Sequence, residues 1–174
     1  MTDRFVISPL VFVKADELFG VVDGSRSFLL PYMPEVGDWN APNDLDDVIA
    51  SGWDDSSDFA ARFAVRDAGT KLLLGSVGLE TESGYGAPHE HVAYWRRADT
   101  SEGHVMREAV GAVVGWAFSV LQLEELRSYV SPKNEASIKV LQSTGFSRIG
   151  PLQRSDGKKE DGYRKVRPRV LGGR

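Results

Sequence analysis

The stretch Asn134-Glu135-Ala136-Ser137-Ile138-Lys139-Val140-Leu141-Gln142-Ser143-Thr144-Gly145-Phe146 carries the clearest structural signal in the chain. Asn134 is a natural helix cap, because its short side chain can accept a hydrogen bond from a free N–H of the first turn. Ile138 and Leu141 fall on one side of such a helix, facing inward. Gly145 can take the left-handed conformation that closes a helix, and Phe146 then packs back on the last turn. The stretch predicts a helix over 134–144 followed at once by a reversal.

Working outward, Glu125 to Val130 reads as a strand leading into this helix. Before it, residues 105–121 form the longest helical pattern, with Ala109, Val113, Ala117 and Leu121 along one stripe. His91-Val92-Ala93-Tyr94-Trp95 reads as a central strand. Residues 83–88, Ser-Gly-Tyr-Gly-Ala-Pro, break the chain ahead of it. Residues 61–66 and 72–79 form a predicted hairpin around the turn Asp67-Ala68-Gly69-Thr70. Downstream, residues 146–149 and 163–170 are expected to close as an antiparallel pair, with Pro168 requiring an edge or a bulge.

The N-terminal part is read less sharply. Phe5-Val6-Ile7 is a short strand, and Asp16 is expected to cap a helix through Val22 whose apolar side is Leu18, Phe19 and Val22. A short helical segment, Ser27 to Leu30, stops at Pro31. Residues 34–43 read as loop, and Asn43 or Asp44 starts a further helix carrying Leu45, Val48 and Ile49. Strand-helix-strand-helix after a hairpin implies an α/β arrangement of the α+β kind, a mixed sheet with helices on its faces.

Length and composition bound the function. At 174 residues with 41% hydrophobic residues, the chain has the size and apolar content of one domain, with no repeat or linker dividing residues 1–174. A net charge of -4 argues against nucleic acid as a partner. No apolar run nears the roughly 20 residues of a membrane span, and residues 1–4 lack an export pattern, so the expectation is a cytoplasmic protein without a membrane partner. The absence of cysteine excludes disulfides, thiolate zinc sites and a cysteine nucleophile. Charge is unevenly spread. Eight carboxylates lie between Glu35 and Asp58 with no lysine or arginine among them, whereas seven cations follow Arg154. Such runs are commonly solvated faces; the functional alternative is an acidic segment that receives a basic or amine substrate.

The order from Tyr94-Trp95 through Glu108-Ala109, the long helix and Ser131-Pro132-Lys133-Asn134-Glu135-Ala136-Ser137 to Gly145-Phe146 resembles the GNAT superfamily. In particular it is similar to the branch that acetylates N-terminal amines of ribosomal proteins and to relatives acting on small amines. Residues 29–34 and Gly75-Ser76-Val77-Gly78-Leu79 resemble that family's acceptor-side segment and third strand. The resemblance implies a GNAT-like fold: a mostly antiparallel sheet, two splayed parallel strands, and helices on both faces. It implies acetyl-CoA as donor substrate, no metal, and direct attack by a primary amine of a small molecule or a protein N-terminus. A homodimer is a further expectation from the same resemblance.

Residue by residue, the resemblance places the pantetheine arm in the gap between the strands of residues 91–95 and 126–130, against Tyr94 and Trp95. Asn134 matches an asparagine that contacts the coenzyme arm, with plain helix capping as the structural alternative. Ser137 matches a serine near the thioester sulfur, able to donate a hydrogen bond to the leaving thiolate; the alternative is a serine bonded to its own backbone. The phosphate loop and helix start fall on Gly103, His104, Val105 and Met106. Here the chain departs from the family, since Ser101, His104 and Met106 occupy the three positions of its Gln/Arg-x-x-Gly-x-Gly/Ala signature and Glu102 adds a negative charge. A protonated His104 or Arg107 can attract phosphates instead. The departure also supports a second reading, a GNAT-fold protein that serves as a binding or interaction module; a third is the use of a longer acyl group.

His91 stands where many relatives carry a glutamate base, with Glu90 beside it. Side-chain alternation puts His89, His91, Ala93 and Trp95 on one strand face. A histidine is suited to taking a proton from an amine near neutral pH. All three histidines, His89, His91 and His104, are expected near one cleft, without a carboxylate that would complete a metal site. Tyr32, Trp39, Trp53, Tyr85 and Tyr94 are expected mostly in the core, with one or two lining an acceptor pocket.

Overall fold

A computed structural model describes residues 4–54, 60–85, 89–100 and 104–168. The elements in chain order are β1 (Phe5–Pro9), α1 (Ala15–Gly24), α2 (Arg26–Leu29), α3 (Asp46–Ala50), β2 (Trp53–Asp54), β3 (Ala60–Asp67) and β4 (Leu73–Glu82). They continue as β5 (His89–Arg96), α4 (Val105–Ser119), β6 (Glu125–Val130), α5 (Glu135–Ser143), β7 (Ser147–Gln153) and β8 (Lys159–Val166). The described strands form one sheet in the order β1-β3-β4-β5-β6-β8-β7, with β2 on the same edge as β1. Every pair is antiparallel except β5 with β6.

The two faces of the sheet carry separate apolar clusters. On one face α4 and α5 bury Val105, Ala109, Val113, Ala117 and Leu141 against Val77, Leu79, Val92, Leu126 and Tyr163. On the other, α1, α2 and the segment after them bury Leu18, Val22, Leu29, Val36 and Leu45 against Ala64 and Leu73. Alternation along each strand divides its residues between the layers. This is the mixed sheet with helices on both faces that the sequence pattern implies.

The 134–146 stretch folds as read. Asn134 Oδ1 accepts from Ser137 N–H at 3.2 Å, and Gly145 sits at φ +84°. The long helix stops at Ser119, two residues before Leu121, which packs on the core from beyond it.

Several boundaries differ from expectation. Asp16 does not cap α1. Lys14 holds that position without a side-chain bond, and Asp16 and Glu17 lie inside the first turn, where carboxylates favour the helix dipole. Glu17 is drawn there by a two-pronged pair with Arg66 of β3. The expected loop 34–43 contains 3-10 turns at Pro34–Gly37 and, starting within it, Pro42–Leu45; α3 begins only at Asp46. Asp44 is committed to the turn, accepting from the N–H groups of Asn40 and Ala41 at 2.7 and 2.9 Å. The closing hairpin is shifted. β7 extends to Gln153 and β8 runs over 159–166, so Pro168 lies beyond the strand and needs no bulge. β8 also inserts between β6 and β7 rather than closing the edge.

Candidate active site

The site begins where β5 and β6 part. Their parallel pairing has a single partner pair, His91 with Arg127. Just beyond it, Ser128 Oγ donates to the Val92 carbonyl at 2.8 Å, a side-chain bond where the ladder has ended. Tyr94 reaches across the gap, its hydroxyl donating to the Ser137 carbonyl at 3.0 Å. Burial holds that hydroxyl well above the ordinary tyrosine pKa, so it stays a donor and ties the first turn of α5 to β5.

Two clefts open from this gap. The first, about 780 Å³, runs along the starts of α4 and α5 past His104, Arg107, Lys133 and Lys139. The second, about 640 Å³, lies over the other face of the sheet against Tyr32, Trp39, His91 and Tyr129. Tyr32, Met33, Tyr94, Trp95, Asn134 and Ser137 border both. The clefts therefore share one junction, and that junction is the strand gap.

The first cleft is a place for an anion. Arg107 and Lys133 make no ion pair among the described residues, and Arg107 only donates to His104 Nδ1 at 3.3 Å. His104 gives α4 no side-chain cap, which leaves the first-turn N–H groups without that partner. Met106 is 5% exposed, so its bulk lies in the core. Ser101, Glu102 and Gly103 lie outside the described residues.

The second cleft is acidic and aromatic. On its sheet face the register sets Gly78 opposite Ala93, Glu80 opposite His91 and Glu82 opposite His89. Gly78 and Ala93 leave a low floor beside the junction. Tyr129 of β6 stands between two rings, with Tyr85 stacked on it at 3.8 Å and His91 parallel to it at 5.5 Å. Glu160 of β8 accepts from the Tyr85 hydroxyl and pairs with Lys158 at 2.9 Å. Glu80 pairs with Arg62 at 2.9 Å.

His91, largely buried, has no hydrogen-bond partner among the described residues. Burial lowers its pKa, opposed by the nearby Glu80, Glu82 and Glu160. The outcome is a neutral ring that can accept a proton.

The shared face expected of His91, Ala93 and Trp95 is present, since all three line this cleft. His89 meets the Tyr129 hydroxyl. His104 is a correction. It borders the other cleft, so the three histidines do not converge, and no group of metal-binding side chains forms among the described residues. Trp53 is a second correction. It lies 47% exposed at the sheet edge, edge-on to Phe63 and tilted against Trp116, away from both clefts. Asn134 caps α5 and also borders the junction. No hydrogen bond of the Ser137 hydroxyl is present among the described residues, which leaves it open toward both clefts.

Sequence reasoning missed Tyr129, Glu80, Glu82 and Glu160. The two-residue spacing of Glu80 and Glu82 was a signal for one strand face, but nothing local showed that this face lines a cleft.

A family model described as an acetyltransferase (GNAT) domain matches residues 4–147. The chain belongs to the GNAT acetyltransferase family. Solved structures of GNAT proteins superpose over nearly the whole chain. The spermidine N-acetyltransferase from Vibrio cholerae, in complex with CoA and spermine, is 16% identical with a TM-score of 0.74, covering 95% of this chain and 97% of that one. The microcin self-immunity acetyltransferase MccE, in complex with acetyl-CoA and AMP, is 15% identical with a TM-score of 0.77, covering 95% and 93%. A ribosomal-protein alanine acetyltransferase from Vibrio fischeri is 20% identical with a TM-score of 0.65, covering 94% and 93%. At such identities the likeness shows the fold alone. Comparison of the sequence with curated proteins gives no match.

Proposed function

We propose that this GNAT protein transfers an acetyl group from acetyl-CoA to a primary amine by direct attack. The observation that carries the reading is the junction of a cationic cleft with an acidic one at the β5/β6 gap. Acetyl-CoA enters from the first cleft, its phosphates near Arg107, Lys133 and the start of α4, its arm between β5 and β6 past Tyr94, Trp95 and Asn134. The amine enters from the second cleft over Gly78 and Ala93.

The acceptor arrives as an ammonium ion and must lose a proton before its nitrogen can attack. His91, two residues from Ala93 on the same strand face, is about 7 Å along the strand. It takes that proton through an intervening water. The nitrogen then bonds to the thioester carbonyl carbon, the carbon–sulfur bond breaks, the Ser137 hydroxyl donates a hydrogen bond to the departing thiolate, and the nitrogen's surplus proton passes to that sulfur, leaving the neutral amide and the free thiol. Much of the acceleration in such a site comes from holding the two reactants together.

The test is calorimetric titration with acetyl-CoA and with desulfo-CoA, followed by an amine screen. Micromolar binding, about -8 kcal/mol, with transfer to an amine is the expected result. No binding at millimolar concentration overturns it. The binding-module reading has one observation in its favour, the absence of the signature glycines at His104 and Met106. It requires that Glu102→Gly with His104→Gly create coenzyme affinity that the natural chain lacks.

A further inference from the structure

We propose that Arg96 is a positioning residue for the coenzyme: its guanidinium fixes the path of residues 97–100, by which the chain runs from β5 toward the start of α4 and the phosphates of acetyl-CoA. The inference rests on the acetyl-transfer reading for the identity of the ligand. Its own support is the geometry around Arg96.

Arg96 is the last residue of β5 and borders the first cleft. The strand end is held close against β4, since a Cβ on Gly75 would lie 2.2 Å from the Trp95 carbonyl oxygen and 2.9 Å from Arg96 Cα. Only glycine fits there, so the root of the Arg96 side chain has one position on the sheet. Its Nη1 donates to the carbonyls of Arg97, Ala98 and Thr100, at 3.0, 3.3 and 3.0 Å. The guanidinium lies over the Phe28 ring of α2, with Cζ 4.7 Å from the centroid. Arg96 forms no ion pair among the described residues, so backbone carbonyls and an aromatic face are what its charge meets. The same loop is held from a second side without charge. The Ala98 N–H donates at 3.0 Å to Ser25 Oγ, which is buried in the corner between α1 and α2. The Arg97 N–H donates to the Leu74 carbonyl of β4 at 2.9 Å.

The helix itself needs no such help, because Val105, Met106 and Ala109 bury α4 in the core. The core does not place the connection from β5, whose sequence is Arg97-Ala98-Asp99-Thr100-Ser101-Glu102 with a single glycine, Gly103, ahead of His104. A connection left free must be ordered when the phosphates bind, and that cost falls on affinity. Carbonyl oxygens beside an anion also repel it; engaged by a guanidinium, they present less negative charge. Both effects act on a ligand that carries phosphates. Neither acts on the pantetheine arm, which the reading above places between β5 and β6.

The experiment is calorimetric titration of the full chain with acetyl-CoA and with acetyl-pantetheine, which lacks the phosphates, beside amide hydrogen exchange of residues 97–100 without ligand. Arg96→Gln is expected to weaken acetyl-CoA about tenfold and to leave acetyl-pantetheine unaltered, with faster exchange in 97–100 and unchanged exchange across β4 and β5. Ser25→Ala removes no charge. It is expected to give a smaller loss of the same kind, about threefold and again confined to acetyl-CoA. Acetyl-CoA affinity untouched by Arg96→Gln overturns the inference. So does an equal loss for both ligands. A loss that Ser25→Ala does not reproduce, with exchange of the loop unchanged, overturns it too, because the charge of Arg96 would then act directly. A natural chain without affinity for acetyl-CoA strikes the transfer reading itself. A natural chain that binds it, with variants that bind it equally well, strikes this inference alone.

Discussion

The two clefts that meet at Tyr94 and Ser137 are built from opposite materials. The cleft proposed for the coenzyme borrows its character from helix starts. Arg107 and Lys133 stand beside the first turns of α4 and α5, and little in it depends on strand register. The cleft proposed for the acceptor is made by register. Glu80, Glu82, His91, Tyr129 and Glu160 come from four strands and share a surface only because β4, β5, β6 and β8 are adjacent with matching side-chain phase. A helix-start site can tolerate replaced loop residues, since the dipole and backbone donors remain. A register-built site cannot slip by one residue without turning every group to the other face.

The largest effect is expected from severing the junction. Gly78→Val would raise the low floor where the clefts join. We expect kcat to fall about 100-fold or more through misplacement of the reactants and the amine to bind more weakly, with acetyl-CoA affinity nearly unchanged. A comparable loss of acetyl-CoA affinity would mean that the clefts are not independent.

Next is the proposed proton acceptor. His91→Asn is expected to lower kcat by about 100-fold. The natural protein should lose kcat/KM as pH falls through the His91 value, which burial holds below the ordinary 6.5. The sign for stability follows from the same shift. Below 6.5 the unfolded chain binds a proton that the folded ring resists, so stability declines as pH drops from 6.5 toward the folded-state value. A stability profile in which His91→Asn flattens that decline would place the shift on this residue. An acid limb of kcat/KM unchanged by the substitution would remove His91 from the proton-transfer role.

Smaller is the coenzyme side. Arg107→Gln with Lys133→Gln should weaken acetyl-CoA about tenfold and steepen no acceptor effect, while leaving affinity for acetyl-pantetheine, which lacks the phosphates, unaltered. Smallest is Asn134→Ala, expected to cost about 1 kcal/mol of stability through the lost cap. A rise in KM for acetyl-CoA beyond that would add a coenzyme contact to the capping role.

Much of this architecture is legible in the chain because its signals are local. The cap at Asn134, the reversal at Gly145 and the stripe through Ala109, Val113 and Ala117 each lie within a few turns. The same locality explains the misread α1 start. Asp16 has the chemistry of a cap, but Arg66, 49 positions beyond Glu17, draws Glu17 into the first turn and moves the boundary. His104 was grouped with the other histidines because it follows them closely in sequence, and a loop and the start of a helix carry it to the far cleft.

What the sequence by itself determined was the kind of fold, a cysteine-free chain with the GNAT order of elements, and the two polar residues, Asn134 and Ser137, that a helix start presents to the strand gap. The tertiary structure alone decided the chemistry of the second cleft. Which cations answer Glu80 and Glu160, and which aromatic stands against His91, depend on strands brought together from positions 78 to 160. Hydrogen-bond register between distant segments is a property of the assembled sheet, and no local stretch of the chain encodes it alone.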